Sequence, residues 1–272
     1  MRGLRFALIA MALVLSSCAG AEPATGPTEP GAGPAGGFRT IQPGVLTVGT
    51  ELPAPPFWLG DDYQSITGGF EVDLARAIGE RLGIDEVRFV EMPFSALVAG
   101  AGCPCDIDLS QVTVNDERAA VVDFSVPYFD ANQGVLVSRG TTVPDTATAR
   151  RLRWGAQLNS TGASYLADTL RPDTPPQIYS TTLDAFNALR AGQIDAVMLD
   201  VPIVAGEAAR PGSTFAVVGQ FETGERYGAV LEKDSPNTPL VSMIIEELRA
   251  DGFLDQLQER YFPAVADVPV LR

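Results

Sequence analysis

Three stretches of this chain carry groups suited to gripping opposite charges. Asn159-Ser160-Thr161-Gly162 opens a helical run. Ser and Thr are natural helix N-cap residues, and the free N–H groups of such a start attract an anion. Asp200 follows the apolar run Ala196-Val197-Met198-Leu199. A carboxylate at such a strand end can pair an ammonium; it can also cap the helix beginning at Val201 or Pro202. Arg118 enters a short helix five residues after Thr113. Its guanidinium is either a planar, permanently charged fork for a carboxylate or a solvated charge on the first helical turn. Asp195 reads as structural. The chain has no histidine, so histidine triads, histidine metal sites and histidine acid–base chemistry are excluded.

There are three cysteines: Cys18, Cys103 and Cys105. A disulfide across Cys103-Pro104-Cys105 would close a very small ring, which is still possible outside the cell. Two cysteines without histidine make a poor zinc site, and no metal or cofactor is expected. A loop pair of structural or no consequence is favoured over a functional redox pair.

The elements that must position these groups alternate between strand and helix patterns. Val45–Gly49, Val87–Glu91 and Ile107–Ser110 read as strands. Glu71–Leu82 reads as a helix with Val72, Ala75, Ile78, Gly79 and Leu82 on one face, and Phe94–Ala101 as another. A second series follows: strands at Val135–Val137, Trp154–Gln157, Ile194–Leu199 and Phe215–Val218, with helices at Ser160–Leu170, Thr182–Ala191 and Pro202–Ala209. After Tyr227–Leu231 come two helices, Pro239–Ala250 and Phe253–Arg260. This alternation predicts two mostly parallel sheets with helices on both faces.

The N-terminus is of another kind. Arg2 and Arg5 precede an apolar run, Phe6–Leu15, too short to span a bilayer. This reads as a secretory signal over residues 1–17, and Leu15-Ser16-Ser17-Cys18 resembles the bacterial lipobox, which implies lipid on Cys18. Residues 18–39 then form a Pro/Gly-rich tether that cannot bury enough surface to fold. Net charge is −15, and more negative once Arg2 and Arg5 are removed. Nucleic acid and anionic lipid are therefore poor partners.

Gly69-Phe70-Glu71-Val72-Asp73-Leu74, followed by Ile78-Gly79, resembles the signature of bacterial extracellular solute-binding proteins, family 3. Asp108 to Arg118, Val122-Asp123-Phe124-Ser125-Val126-Pro127-Tyr128-Phe129, Gly192 to Asp200, Tyr227-Gly228 and Asp251 through Phe262 resemble further stretches of that family, in its order. The resemblance implies an α/β, two-lobe periplasmic-binding-protein-like fold of type II. Lobe 1 would be 40–127 plus 228–263 and lobe 2 would be 133–221. Hinge crossovers would lie at 128–132 and 222–227.

The resemblance also implies a function. The chain would be the substrate-binding component of an amino-acid ABC importer, not an enzyme, closing like a flytrap on a free amino acid. It would dock on permease subunits, sit outside the cytoplasmic membrane through the Cys18 anchor, and be a monomer. A sensor for a membrane signalling protein and a fold-related enzyme such as a dehydratase are the alternatives. Arg118 matches the family's carboxylate-binding arginine, with Thr113 beside it. Thr161, next to Ser160, matches the position that reaches the carboxylate from lobe 2, and Asp200 matches the amine-binding aspartate. Phe94 matches an aromatic that packs on the ligand. Ala54 stands where the family usually has an aromatic wall, whose place Trp58 could take. Glu51 matches an often acidic position, which favours a polar or basic ligand side chain. Gln111 and Gln157 add polar lining.

Overall fold

The computed structural model describes residues 37–60, 62–263 and 268–272. The expected signal, the Cys18 lipid site and nearly all of the tether lie outside the described residues. The first lobe begins with β1 (Val45–Thr50), α1 (Phe70–Leu82), β2 (Glu86–Glu91), α2 (Phe94–Leu97), β3 (Ile107–Asp108), α3 (Asp116–Ala119) and β4 (Val122–Phe124). The second lobe holds β5 (Phe129–Ser138), α4 (Thr146–Arg150), β6 (Trp154–Gln157), α5 (Thr161–Tyr165), β7 (Gln177–Tyr179), α6 (Thr182–Arg190), β8 (Ala196–Asp200), α7 (Val201–Ala209) and β9 (Phe215–Tyr227). The chain then returns to the first lobe with β10 (Val230–Glu232), α8 (Thr238–Ala250) and α9 (Phe253–Tyr261).

Each lobe has one five-stranded sheet, ordered β2-β1-β3-β10-β4 and β7-β6-β8-β5-β9. In the first sheet only β10 runs against its neighbours, and in the second only β5 does. β1 is buried at every residue, as a strand covered on both faces must be. α1 ends where Gly83 takes φ 70°, the left-handed conformation glycine adopts without penalty. The helix expected at 94–101 shortens to α2, and the one expected at 160–170 is α5 followed by a π-helical stretch, Leu166–Leu170.

The two segments that cross between the lobes are continuous strands. β5 and β9 pair antiparallel from Phe129↔Tyr227 to Ser138↔Phe215, with register shifts between Ala131 and Gln133 and between Val135 and Leu136. Two chains crossing side by side satisfy each other's N–H and C=O groups, which loops could not do in a buried setting. A cluster of rings sits at this crossing: Phe129 stacks on Tyr227 at 5.5 Å, and Phe57 meets Phe129 edge-on at 5.2 Å. The C-terminal residues 268–272 lie on the second lobe. Leu271 N–H donates to Gln220 O, and the Leu271 side chain packs against Gly219.

Candidate functional site

Asn115 caps α3, its Oδ1 accepting from Arg118 N–H at 2.9 Å. That cap turns the Arg118 side chain inward, where it is only 5 % exposed; it is not a solvated charge. Its Nη1 donates to Thr113 O at 2.8 Å and its Nη2 to Asn159 O of the second lobe at 3.0 Å. The guanidinium lies over the Phe94 ring, 5.4 Å from the centroid. Burial lowers its pKa, opposed by the nearby Asp200 and Glu225, yet a guanidinium keeps its proton in any protein setting. Asn159 takes φ 62°, a left-handed value that asparagine tolerates better than most residues.

From the second lobe, Ser160 caps α5, accepting from Ala163 N–H at 3.1 Å and donating to Gln157 O at 2.8 Å. Thr161 lines the crevice, its Oγ1 accepting from Gln133 Nε2 at 3.2 Å. Asp200 occupies the cap position of α7 but makes no cap bond. Instead its carboxylate accepts from Tyr227 OH and from Gln133 Nε2. Burial pushes its pKa up to about 7, Glu225 adds to the rise, and Tyr227, Gln133 and Arg118 oppose it.

Glu225 is the residue that sequence reasoning missed. Its carboxylate accepts from Thr113 Oγ1 and Thr161 Oγ1, each at 2.7 Å, and from Gln133 Nε2 at 2.9 Å. It thus ties both lobes together from β9. Only its place two residues before Tyr227, within the expected hinge, hinted at it; its approach to Thr113 and Thr161 is created by the strand pairing.

At the other end of the crevice, Glu51 accepts from Phe94 N–H at 2.9 Å and from Gln157 Nε2 at 2.6 Å. Gln157 Oε1 accepts from Thr182 Oγ1 at 2.7 Å. Burial raises the Glu51 pKa, against the two hydrogen bonds. The crevice is lined by Glu51, Phe94, Gln111, Thr113, Arg118, Gln157, Ser160, Thr161 and Asp200, with Pro53, Ala54, Ser110, Thr182, Leu199 and Ile203.

Trp58 is not brought there. It is fully buried, its indole N–H donating to Glu71 at 2.6 Å, and its ring meets Phe89 edge-on. The indole N–H needs a buried acceptor, and Glu71 draws it into the first lobe. Glu71 is itself an unforeseen support. Its carboxylate accepts from Trp58, Tyr128 OH, Gln111 Nε2 and Gln111 N–H. These bonds hold Gln111 at φ 52° at the crevice floor. Burial drives the Glu71 pKa up to about 7, against those four bonds.

Residues 46–264 match the family model of bacterial extracellular solute-binding proteins, family 3. The L-cystine-binding protein TcyJ of Escherichia coli (strain K12) is 28 % identical over 225 residues, 81 % of this chain and 84 % of that protein. A solved ancestral arginine-binding protein bound to arginine is 31 % identical, with a TM-score of 0.69, covering 80 % of this chain and 98 % of that one. The solved ancestral amino acid-binding protein AncCDT-1, a precursor of cyclohexadienyl dehydratase, is 28 % identical, with a TM-score of 0.68, covering 80 % of this chain and 95 % of that one. The match spans both lobes and the ribbon between them: this chain belongs to the bacterial extracellular solute-binding proteins, family 3.

Proposed function

We propose that this chain is the substrate-binding component of an amino-acid ABC importer and that it closes on a free polar or basic amino acid. The observation that carries this reading is that a buried guanidinium from one lobe, Arg118, and a buried carboxylate from the other, Asp200, line one crevice. A zwitterion fits that pair: Arg118 takes its carboxylate and Asp200 its ammonium, while Thr113 and Thr161 line the same crevice and would have to turn their hydroxyls from Glu225 to reach the ligand. Each end engages a different lobe, so the ligand favours the closed arrangement by its differential contacts. Glu51, Gln157 and Thr182 offer acceptors and donors for a polar or cationic side chain. Ala54 lines the crevice with a single methyl, and with Trp58 turned into the core this leaves length for an extended side chain.

The relatives named for cystine and arginine support this class of ligand, and AncCDT-1 is itself named an amino acid-binding protein. We further propose an extracytoplasmic location, anchorage by lipid on Cys18, a monomeric state and docking of the closed form on permease subunits.

A thermal-shift screen of the free amino acids tests the reading. A ligand at about a thousand times its Kd adds about 4 kcal/mol of stability, or roughly 10 °C in a domain of this size. Arginine, lysine, histidine or glutamine should give the largest rise, and leucine and valine little. A screen in which no amino acid moves the transition would overturn the proposal.

A further inference from the structure

Cys103 and Cys105 stand apart from the ligand crevice, in the loop that leads into β3. The structure joins them in a disulfide across one proline, with Cα atoms 5.0 Å apart. Both are half-buried and Pro104 is exposed. A groove lined by Arg39, Ile41, Gly102 and Val121 runs past the pair, so a small thiol can reach it.

Asp108 lies beneath. Its carboxylate is fully buried, and neither oxygen is in hydrogen-bond geometry with any group, although the Ser110 hydroxyl lies close enough to favour the ionised form. The two sulfurs and an oxygen of Asp108 lie within 4.8 Å of one another. All three groups close on the backbone of Gly49: a Cβ there would stand 2.6 Å from Asp108 Oδ2, 2.8 Å from Cys103 Sγ and 2.9 Å from Cys105 Sγ. Only glycine leaves room for them to meet.

A buried carboxylate without a partner is costly, and folds keep such groups mainly where they are used. Burial holds Asp108 protonated well above the usual carboxylate range. Glu71 and Glu51 reinforce the shift, and Ser110 opposes it. The other titratable groups facing Asp108 are Tyr63 and Tyr128, and all four of these charged or ionisable neighbours are acidic. The result is a proton held beside two sulfurs. A disulfide needs one when it opens, because one sulfur leaves as a thiolate.

We propose that Cys103 and Cys105 are a redox-active pair that exchanges with external dithiols, and that Asp108 is its proton donor. One thiol of the dithiol loses its proton to solvent and attacks a sulfur of the pair. The bond between the two cysteines breaks, a mixed disulfide forms, and the expelled cysteine takes the proton of Asp108. The second thiol then gives its proton to the Asp108 carboxylate and attacks the mixed disulfide. The external disulfide leaves, and the remaining cysteine takes a proton from solvent. Two electrons and two protons pass from the dithiol to the protein. This activity does not depend on the ligand crevice.

The test is reduction of the native protein by dithiothreitol, followed by maleimide mass-tagging. The rate is divided by the thiolate fraction of the reductant at each pH. Native protein should gain two tags without unfolding. The corrected rate should fall as pH rises through the ionisation of Asp108. Asp108→Asn should slow reduction by about tenfold or more, since positioned proton transfer typically contributes at least that much. A disulfide that opens only after denaturation, a corrected rate flat in pH, or an Asp108→Asn protein reduced at the native rate would each overturn the proposal. So would purified protein carrying a metal ion on two free thiolates. If Asp108→Asn does not fold, the pH profile of the native protein decides alone.

Discussion

Glu71 and Asp200 are two buried carboxylates whose pKa values are both pushed up to about 7, yet their surroundings differ. Glu71 lies inside the first lobe with four donors aimed at it, and it does not line the crevice. Asp200 has two donors, lines the crevice, and lies within the electrostatic reach of Arg118 and Glu225. A carboxylate saturated by its own protein serves support. One left partly satisfied, at a crevice wall, can still take a cation from outside, which is the role proposed for Asp200. Burial and pKa alone would not separate these roles; the donor count and the opening do.

The largest effect expected from this contrast is on folding. Glu71→Leu would leave Tyr128 and both Gln111 donors without an acceptor, and Trp58 with Leu109 O alone. Each unsatisfied buried donor costs about 1–3 kcal/mol, so a loss of roughly 4 kcal/mol or more is expected in urea unfolding. A loss under about 1 kcal/mol would break the distinction by making Glu71 dispensable.

A smaller effect concerns pH. In the unliganded protein Asp200 is half protonated at about 7, and an ammonium pairs only with its ionised form. Affinity should therefore fall as pH drops below about 7, approaching tenfold per pH unit, and binding should release protons in that range. In Asp200→Asn the slope and the proton release should both vanish. The sign for folding is opposite. Glu71 and Asp200 ionise higher in the folded chain than in the unfolded one, so the folded state holds protons the unfolded chain has lost. Stability of the unliganded protein should fall as pH rises from about 4 to about 7. Affinity independent of pH across this range would put Asp200 in the same supporting role as Glu71.

Much of this site was legible in sequence because its residues sit at element ends. Arg118 enters a short helix five residues after Thr113, Asp200 ends an apolar strand run, and Ser160 opens a helix; these are local patterns that the chain shows without its fold. Glu71 was not legible, because an acid in the first turn of an amphipathic helix reads as solvated. Its donors come from positions 13, 40 and 57 residues away, which only the folded lobe assembles. Glu222–Tyr227 carries no apolar alternation, so β9 appeared to end at Val218; pairing with β5 extends it to Tyr227 and delivers Glu225. The strands β4 and β7 and the helix α4 are three to five residues long, too short for periodicity to register. Trp58 was offered to the crevice only by the family resemblance, as a substitute for the aromatic missing at Ala54; a resemblance does not say which way a loop ring turns, and the Glu71 acceptor decides that.

The most direct test of the central claim is a calorimetric titration of Arg118→Ala with the amino acid that gives the largest thermal shift. Removing one side of a buried charge pair leaves the other uncompensated, so affinity should fall by roughly 2–5 kcal/mol while the variant remains folded. Unchanged affinity would contradict the account, because the carboxylate of the ligand would then be held elsewhere.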